Sequence, residues 1–464
     1  MIAESEQIDL LVGADFLYPM RPDGNIVMGG EVAVRAGKIV YAGPCKDAGS
    51  WSPKRRISGS GKAVMPGFVN CHSHAASIIF RSQSDDGAGG AALYQVAFRG
   101  EQHITPEQWR DLAVVGTLDM IKAGITTMND IWYEPEALAE TCLQSGLRAQ
   151  IAYKVFDVKL ENLHAGDYTR HPEIGEQRLR RGVDLVETWH GKGNGLIRGR
   201  IGPHATDTCS SGLHHEAGAE ARRLGVGRHT HVAQSRGEVD YIFANHGTGP
   251  AEYLRDLGEL DENTVIAHLT FASDADLDAV RETGARYAHC STIYPRRGVY
   301  PDMPAINDRN LTWGLATDWM MNDPFEAMRN AMNAMRLLQG RHDAFTSRQA
   351  MWRATAGSAA VLGLDDHIGE LTQGYKADLI QIDLDQPHLA PFYGDYSSIA
   401  YYARASDVVT SVIDGRVVME NREVASLDEN AALVAVKRHL PGWSELVSSL
   451  GGVAHPGLCP CGHI

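Results

Sequence analysis

Three things are scarce in this 464-residue chain, and each scarcity excludes a class of protein. Long apolar runs are missing: nothing approaches the roughly 20 residues that a membrane-spanning helix needs. The opening Met1-Ile2-Ala3-Glu4-Ser5-Glu6 is acidic and polar where a secretory signal is basic and then apolar. Cysteine is the second scarcity. There are seven, an odd number scattered along the chain, which argues against a disulfide framework and for a reducing, cytoplasmic setting. Positive charge is the third. Lys and Arg total 43 against 58 Asp and Glu, a formal net charge of −15. That balance disfavours nucleic acid and anionic membranes as partners. Internal repeats and low-complexity tracts are not evident either.

What remains is a globular composition, 44% hydrophobic, long enough for one large core and a smaller appendage. Residues 8–65 read as short strands with turn punctuation, as in Pro22-Asp23-Gly24 and Ala36-Gly37. Residues 376–425 do the same, with a hairpin signal at Asp414-Gly415. Both chain ends therefore predict one composite β-sandwich domain, 1–65 with 372–425. Between them, over 66–371, strands alternate with helices. Eight strands are expected at 64–69, 125–129, 148–154, 197–202, 226–231, 264–268, 286–290 and 311–317, with helices at 107–122, 134–145, 175–190, 274–283 and 324–338. Eight βα units in about 300 residues predict an α/β fold, a (β/α)8 TIM barrel. Residues 426–464 read as one short helical stretch and a Gly/Pro/Cys-rich tail.

Several predicted strands end on metal-ligand residue types. The first runs into Asn70-Cys71-His72-Ser73-His74, and two histidines two apart on an extended chain point the same way. The fifth ends in His229-Thr230-His231, the sixth in His268 and the eighth in Asp318. Any one of these is equally the polar end of a strand. Together they fall at the carboxyl ends of barrel strands, where active sites of this fold lie. Imidazole suits a borderline-soft divalent ion.

At this point the chain resembles the amidohydrolase superfamily, in the branch of triazine hydrolases and heterocycle deaminases. Pro66-Gly67-Phe68-Val69-Asn70, Gly124-Ile125-Thr126-Thr127, Gly202-Pro203-His204, Ala288-His289-Cys290 and the run from Gly369 to Leu379 carry the resemblance. It implies one divalent metal ion, zinc first and Fe, Co or Mn as alternatives, held by His72, His74, His231 and Asp318, with no carboxylated-lysine bridge. It implies that Asp318 is the general base, that His268 contacts the attacking water or substrate, and that His204 faces the substrate. It also implies a homodimer or larger assembly acting on a small molecule. A divalent ion lowers the pKa of a water it holds from about 15.7 to about 7.

The chain departs from that family in three places. Deaminases of the branch read His-x-x-Glu at strand five, and this chain reads His231-Val232-Ala233-Gln234. An amide hydrogen-bonds but does not titrate. Gln234 is therefore expected to orient a substrate, and Glu238, one turn on, to be a solvated helix residue. After strand seven, Ser291-Thr292-Ile293-Tyr294-Pro295 replaces Pro-x-Ser-Asn. After Asp318 come Trp319, Met320 and Met321, which suggests that Trp319 and Met320 line a largely apolar pocket. Met328, Met332 and Met335 recur at helical spacing and read as core. Cys459-Pro460-Cys461 lacks the second pair that would make a zinc site. The expected activity is hydrolysis of a non-peptide C–N or C–S bond in a neutral amide, urea, carbamate or thiocarbamate. The alternative is an aminohydrolase or dechlorinase of a triazine, purine or pterin. A non-catalytic barrel scaffold is a third reading, disfavoured by the complete ligand set.

Overall fold

The computed structural model describes residues 5–82 and 93–450. Strands β1 (Glu6–Leu17), β2 (Val27–Arg35), β3 (Lys38–Pro44), β4 (Trp51–Ile57) and β5 (Lys62–Pro66) come from the start of the chain. The barrel follows as β6 (Phe68–Ser73), β7 (Ile125–Trp132), β8 (Arg148–Val155), β9 (Ile197–Pro203), β10 (Arg228–Val232), β11 (Thr264–His268), β12 (Arg286–His289) and β13 (Trp313–Leu315). Strands β14 (Leu379–Asp383), β15 (Val408–Ile413) and β16 (Arg416–Glu420) return to the first group. The β15–β16 hairpin turns at Asp414 and Gly415, both with positive φ (51° and 75°), as a type I′ turn requires.

Strands β6 to β13 pair in chain order, all parallel. The ring closes where the Asp318 N–H donates to the His72 carbonyl at 3.0 Å. The other eight strands form a second sheet, in which β5 joins β1 to β14 and so ties the two chain ends together. That sheet folds over its own core of Leu10, Val12, Val32, Val64 and Leu379. The expected barrel and composite β-domain are therefore both present. Among the described residues no helix is long and apolar enough to cross a membrane.

One expected strand, 64–69, straddles two elements. The β-domain strand β5 ends at Pro66 and the barrel strand β6 begins at Phe68. Gly67 makes the switch: a Cβ there would lie 2.1 Å from the Thr126 side chain, so only glycine lets the chain pass so close to β7. The end of the chain also differs from expectation. Glu429–Ser449 is a helix of 21 residues, tied to the helix Pro106–Lys122 by Lys122–Glu429 (2.7 Å) and His439–Asp111 (2.9 Å). The Cys-x-Cys tail lies outside the described residues. Met328, Met332 and Met335 are buried, as expected of core.

A buried ion pair joins the barrel to the β-domain. Arg148, first residue of β8, grips Asp378 with two bonds of 2.9 and 3.0 Å, and Asp378 also accepts from the Asp414 N–H at 2.7 Å. Removing one partner leaves the other charge buried and alone, which typically costs about 3–5 kcal/mol. Asp378→Ala should lower unfolding stability by that amount in a urea titration; a loss under about 1 kcal/mol would show that the pair does not hold the junction.

Candidate active site

The residues expected at the site do converge at the carboxyl ends of the barrel strands. They do so by a route the sequence does not show. The pairing of β6 with β7 slips between Asn70 and Ser73, a bulge of the kind that re-aims side chains. The strand then ends, and His74 caps a 3-10 turn. His72 and His74 nonetheless bring their Nε2 atoms to 3.2 and 3.5 Å from one oxygen of Asp318, Oδ1. His231 Nε2 lies 3.4 Å from His74 Nε2. His268 Nδ1 is 4.0 Å from the other Asp318 oxygen, Oδ2.

The outer ring nitrogens decide which atoms face the centre. His74 Nδ1 donates to the Ile131 carbonyl (2.8 Å) and His231 Nδ1 to the His204 carbonyl (2.6 Å). His72 Nδ1 meets His229 Nε2 at 2.7 Å. Each neutral imidazole has one N–H; the carbonyls use it at His74 and His231, and a His72 Nδ1–H directed at His229 Nε2 does the same for His72. Three Nε2 lone pairs therefore point inward beside a carboxylate, all nearly or fully buried. Lone pairs facing one another at these distances repel unless a cation lies between them. Consistently, the buried His72 Nε2 has no hydrogen-bond partner. The donor set of three imidazoles and a carboxylate thus fits a divalent ion. Burial pushes the His74 and His231 imidazoles well below their ordinary range, towards the neutral form that a metal requires. Burial would raise the Asp318 carboxyl, but the imidazoles of His268, His72 and His74 hold it below its usual range.

The backbone is strained around this centre. Ala233 (φ 53°), His268 (φ 86°), Asp318 (φ 60°) and Met320 (φ 68°) all occupy the left-handed region, which is unfavourable for residues with a Cβ. Each strained residue is clamped. The His268 carbonyl accepts from Tyr287 (2.9 Å) and Tyr294 (3.0 Å) hydroxyls, so the unusual Ser291–Pro295 segment supplies one of its anchors.

The pocket above the centre is lined by His204, Gln234, His268 and Trp319, among others. His204 Nδ1 meets the Thr208 hydroxyl at 2.9 Å, and that hydroxyl donates onward to the Ala205 carbonyl. His204 therefore presents an acceptor Nε2 to the pocket. The Gln234 amide Nε2 is buried and unpartnered. Two expectations need correction. Met320 is buried but is not part of the pocket wall; its left-handed backbone places its N–H on Ser77 (3.0 Å) and its carbonyl on Arg81 (2.6 Å). Glu238 is not solvated but fully buried. Its carboxylate accepts from the N–H groups of Ala233 (3.1 Å) and Gln234 (2.7 Å), and burial, with the nearby Asp207 carboxylate, pushes it up to about 8.

Three charged wall residues were missed by sequence reasoning, Glu101, Lys154 and Arg297, as were the apolar Leu93, Phe98 and Trp132. Lys154 Nζ pairs with Glu101 Oε2 at 2.7 Å, with the Tyr133 hydroxyl on the same oxygen at 2.8 Å. The other carboxylate oxygen, Oε1, is buried without a partner. A lone lysine near the carboxyl end of an apolar barrel strand was the available signal for Lys154. Nothing local marks Glu101 or Arg297. The pocket is thus more polar than Trp319 and Met320 suggested. It is narrow, with about 20 Å³ of free volume, and it shares Leu93, Gln234 and Arg297 with an adjoining chamber of about 330 Å³.

The pure protein should hold about one divalent ion per chain. His229→Ala should weaken that binding about 10–100-fold, the usual effect of removing the partner that orients a ligand histidine. Elemental analysis after dialysis against graded chelator measures both. Full activity in excess chelator with no metal bound would refute the assignment.

Residues 63–418 match the Amidohydrolase family. A 5-methylthioadenosine/S-adenosylhomocysteine deaminase of Pelotomaculum thermopropionicum is 33% identical over 436 residues, 92% of this chain and 97% of that protein. Among solved structures, an adenosine deaminase from Xanthomonas campestris with bound zinc superposes with a TM-score of 0.86 at 24% identity, covering 96% of this chain and 100% of that one. The atrazine chlorohydrolase of Arthrobacter aurescens in complex with zinc gives 0.82 at 20% identity, over 93% and 100%. These relatives fall on the side of heterocycle hydrolysis, the alternative reading of the sequence, rather than on that of amides and ureas. With eight parallel strands, a converging His/Asp set and a family match over most of its length, the chain belongs to the amidohydrolase family.

Proposed function

We propose that this chain is an aminohydrolase that releases ammonia from a trigonal carbon of a polar nitrogen heterocycle, of the kind its adenosine-derivative relatives act on. The observation that carries this reading is the unpartnered Oε1 of Glu101, a buried carboxylate oxygen in the pocket wall. A buried acceptor left empty costs about 1–3 kcal/mol or more, so the substrate is expected to bring an N–H or O–H donor to it. A wholly apolar molecule has none to offer.

A divalent ion held by His72, His74, His231 and Asp318, zinc being the first candidate, supplies a Lewis acid that makes water nucleophilic near neutral pH. The chain's own residues do the rest. Asp318 turns Oδ1 towards the imidazoles of His72 and His74, which leaves Oδ2 to accept the proton of the attacking water and carry it to the leaving nitrogen. His268, held by Tyr287 and Tyr294, keeps its imidazole beside Oδ2 to orient the attacking oxygen. The Gln234 amide donates to a ring nitrogen without protonating it. His204 Nε2 accepts from an N–H of the substrate. Lys154 holds the Glu101 carboxylate in place.

Gln234 favours a second reading. With no titratable donor at that position, ureas, carbamates and thiocarbamates are chemically easier substrates, because Asp318 alone can protonate their leaving groups. The two readings separate in one assay. The metal-loaded protein is offered 5-methylthioadenosine, S-adenosylhomocysteine, a phenylurea and a thiocarbamate, and ammonia, amine and thiol are measured. Ammonia from the nucleosides supports the first reading; amine or thiol release without ammonia overturns it. Gln234→Glu should raise ammonia release about tenfold or more under the first reading, and lower turnover under the second. On either reading Asp318→Asn should cut kcat by about 10²–10⁴-fold with the metal retained. A loss under tenfold would remove Asp318 as the base.

A further inference from the structure

A second cavity lies apart from the catalytic pocket. It measures about 710 Å³, within the range of small-molecule sites, and shares no wall residue with the pocket above the histidines. It opens at the amino end of the barrel. Trp313, which begins β13, is in its wall, and from there the chain needs five residues, about 16 Å of strand, to reach Asp318. Arg21, just beyond β1, lines the other side. The cavity therefore sits where the barrel meets the β-domain.

Its chemistry is one-sided. Three arginines line it, Arg21, Arg348 and Arg353, and no Asp or Glu does. None of the three is in an ion pair. Arg353 lies between two indoles, 4.2 Å from the Trp313 ring centre and 5.0 Å from that of Trp352, and donates to the Trp313 carbonyl at 2.6 Å. Burial pushes its guanidinium down to about 10. Arg348 donates to the carbonyls of Arg21 and Pro22. The buried Nε of Arg21 has no partner. Clamping backbone carbonyls accounts for one face of Arg348 and Arg353. It does not account for the orphaned Arg21 Nε, for the cavity, or for three guanidiniums facing one space whose wall holds no carboxylate. Trp352, half-buried in the wall, supplies an aromatic side chain against which a flat ring can pack.

We propose that this cavity is a second ligand site, separate from the catalytic pocket, that binds a planar aromatic ring carrying an anionic group. The anion sits among the three guanidiniums and the ring lies against the Trp352 side chain. Aromatic phosphates and aromatic carboxylates share this chemistry.

The test is a titration of the full chain with phenyl phosphate, following tryptophan fluorescence and heat at fixed ionic strength. Inorganic phosphate, phenol and benzoate form the comparison arms. Phenyl phosphate or benzoate should bind one to one and at least about tenfold tighter than phosphate or phenol, and whichever binds tighter identifies the anion. Arg348→Ala, at an exposed position, should weaken binding about tenfold, as the loss of one charge-assisted hydrogen bond does. Arg353→Met should do the same, and circular dichroism checks its fold. Asp318→Asn should leave binding unchanged. No saturable binding by millimolar probe overturns the proposal. So does equal binding of inorganic phosphate, and so does a result in which Asp318→Asn abolishes binding while Arg348→Ala does not.

Discussion

The site depends on how the barrel closes. Seven of the eight neighbouring strand pairs are parallel ladders, that of β6 with β7 interrupted by its bulge, but the last strand reaches the first through a single backbone hydrogen bond. There Asp318 donates its N–H to the His72 carbonyl and bridges Ser73. The two residues that complete the ring are thus a candidate ligand histidine and the candidate base. The backbone contact that closes the barrel also sets the Asp318 carboxylate beside His72. The left-handed backbone at Asp318 and Met320 is tolerated because this junction, the Ser77 hydroxyl and the Arg81 side chain hold the turn on all sides.

From that junction the orientation of the centre spreads outward. Ile131 on β7 fixes the ring of His74, His229 on β10 fixes that of His72, and the carbonyl of His204, just past β9, fixes His231. Each ligand is therefore aimed by a strand other than its own. This arrangement makes the inner nitrogens acceptors before any ion arrives, and it explains why burial without a partner is tolerated at His72 Nε2. A metal in the centre would relieve the repulsion of the convergent lone pairs, so metal binding and barrel stability are linked.

Much of this was legible in the sequence because it is periodic or terminal. The alternation of strands and helices and the ligand residues at strand ends depend on local pattern, and they located the barrel and the four convergent side chains. The parts that were not legible depend on tertiary distance. Gly67 ends one strand and starts another because of Thr126 on a neighbouring strand. Glu101 enters the pocket from a short helix far from any strand end, steadied by Lys154 on β8. Glu238 has the spacing of an exposed helical residue, and its burial follows from two backbone N–H groups that need an acceptor. Met320 follows Asp318 directly, yet a left-handed turn takes it out of the pocket wall.

Strand five shows what that last point means for chemistry. Glu238 lies four residues from Gln234, close enough in sequence to replace the missing acid of the deaminase pattern. Its two oxygens are committed to Ala233, Gln234 and the Thr206 hydroxyl, and it is absent from the pocket wall. A carboxyl group in that position stiffens the turn that carries Gln234 and faces that turn rather than the pocket. The Glu101–Lys154 pair is in the wall, but protonating Glu101 would leave Lys154 as an isolated buried cation, which is strongly unfavourable. Among the described residues, Asp318 Oδ2 is the carboxylate oxygen beside the imidazoles left free to take up and return a proton. Every proton that moves in the reaction is then expected to pass through Asp318, and the substrate must place its leaving group within reach of that one oxygen.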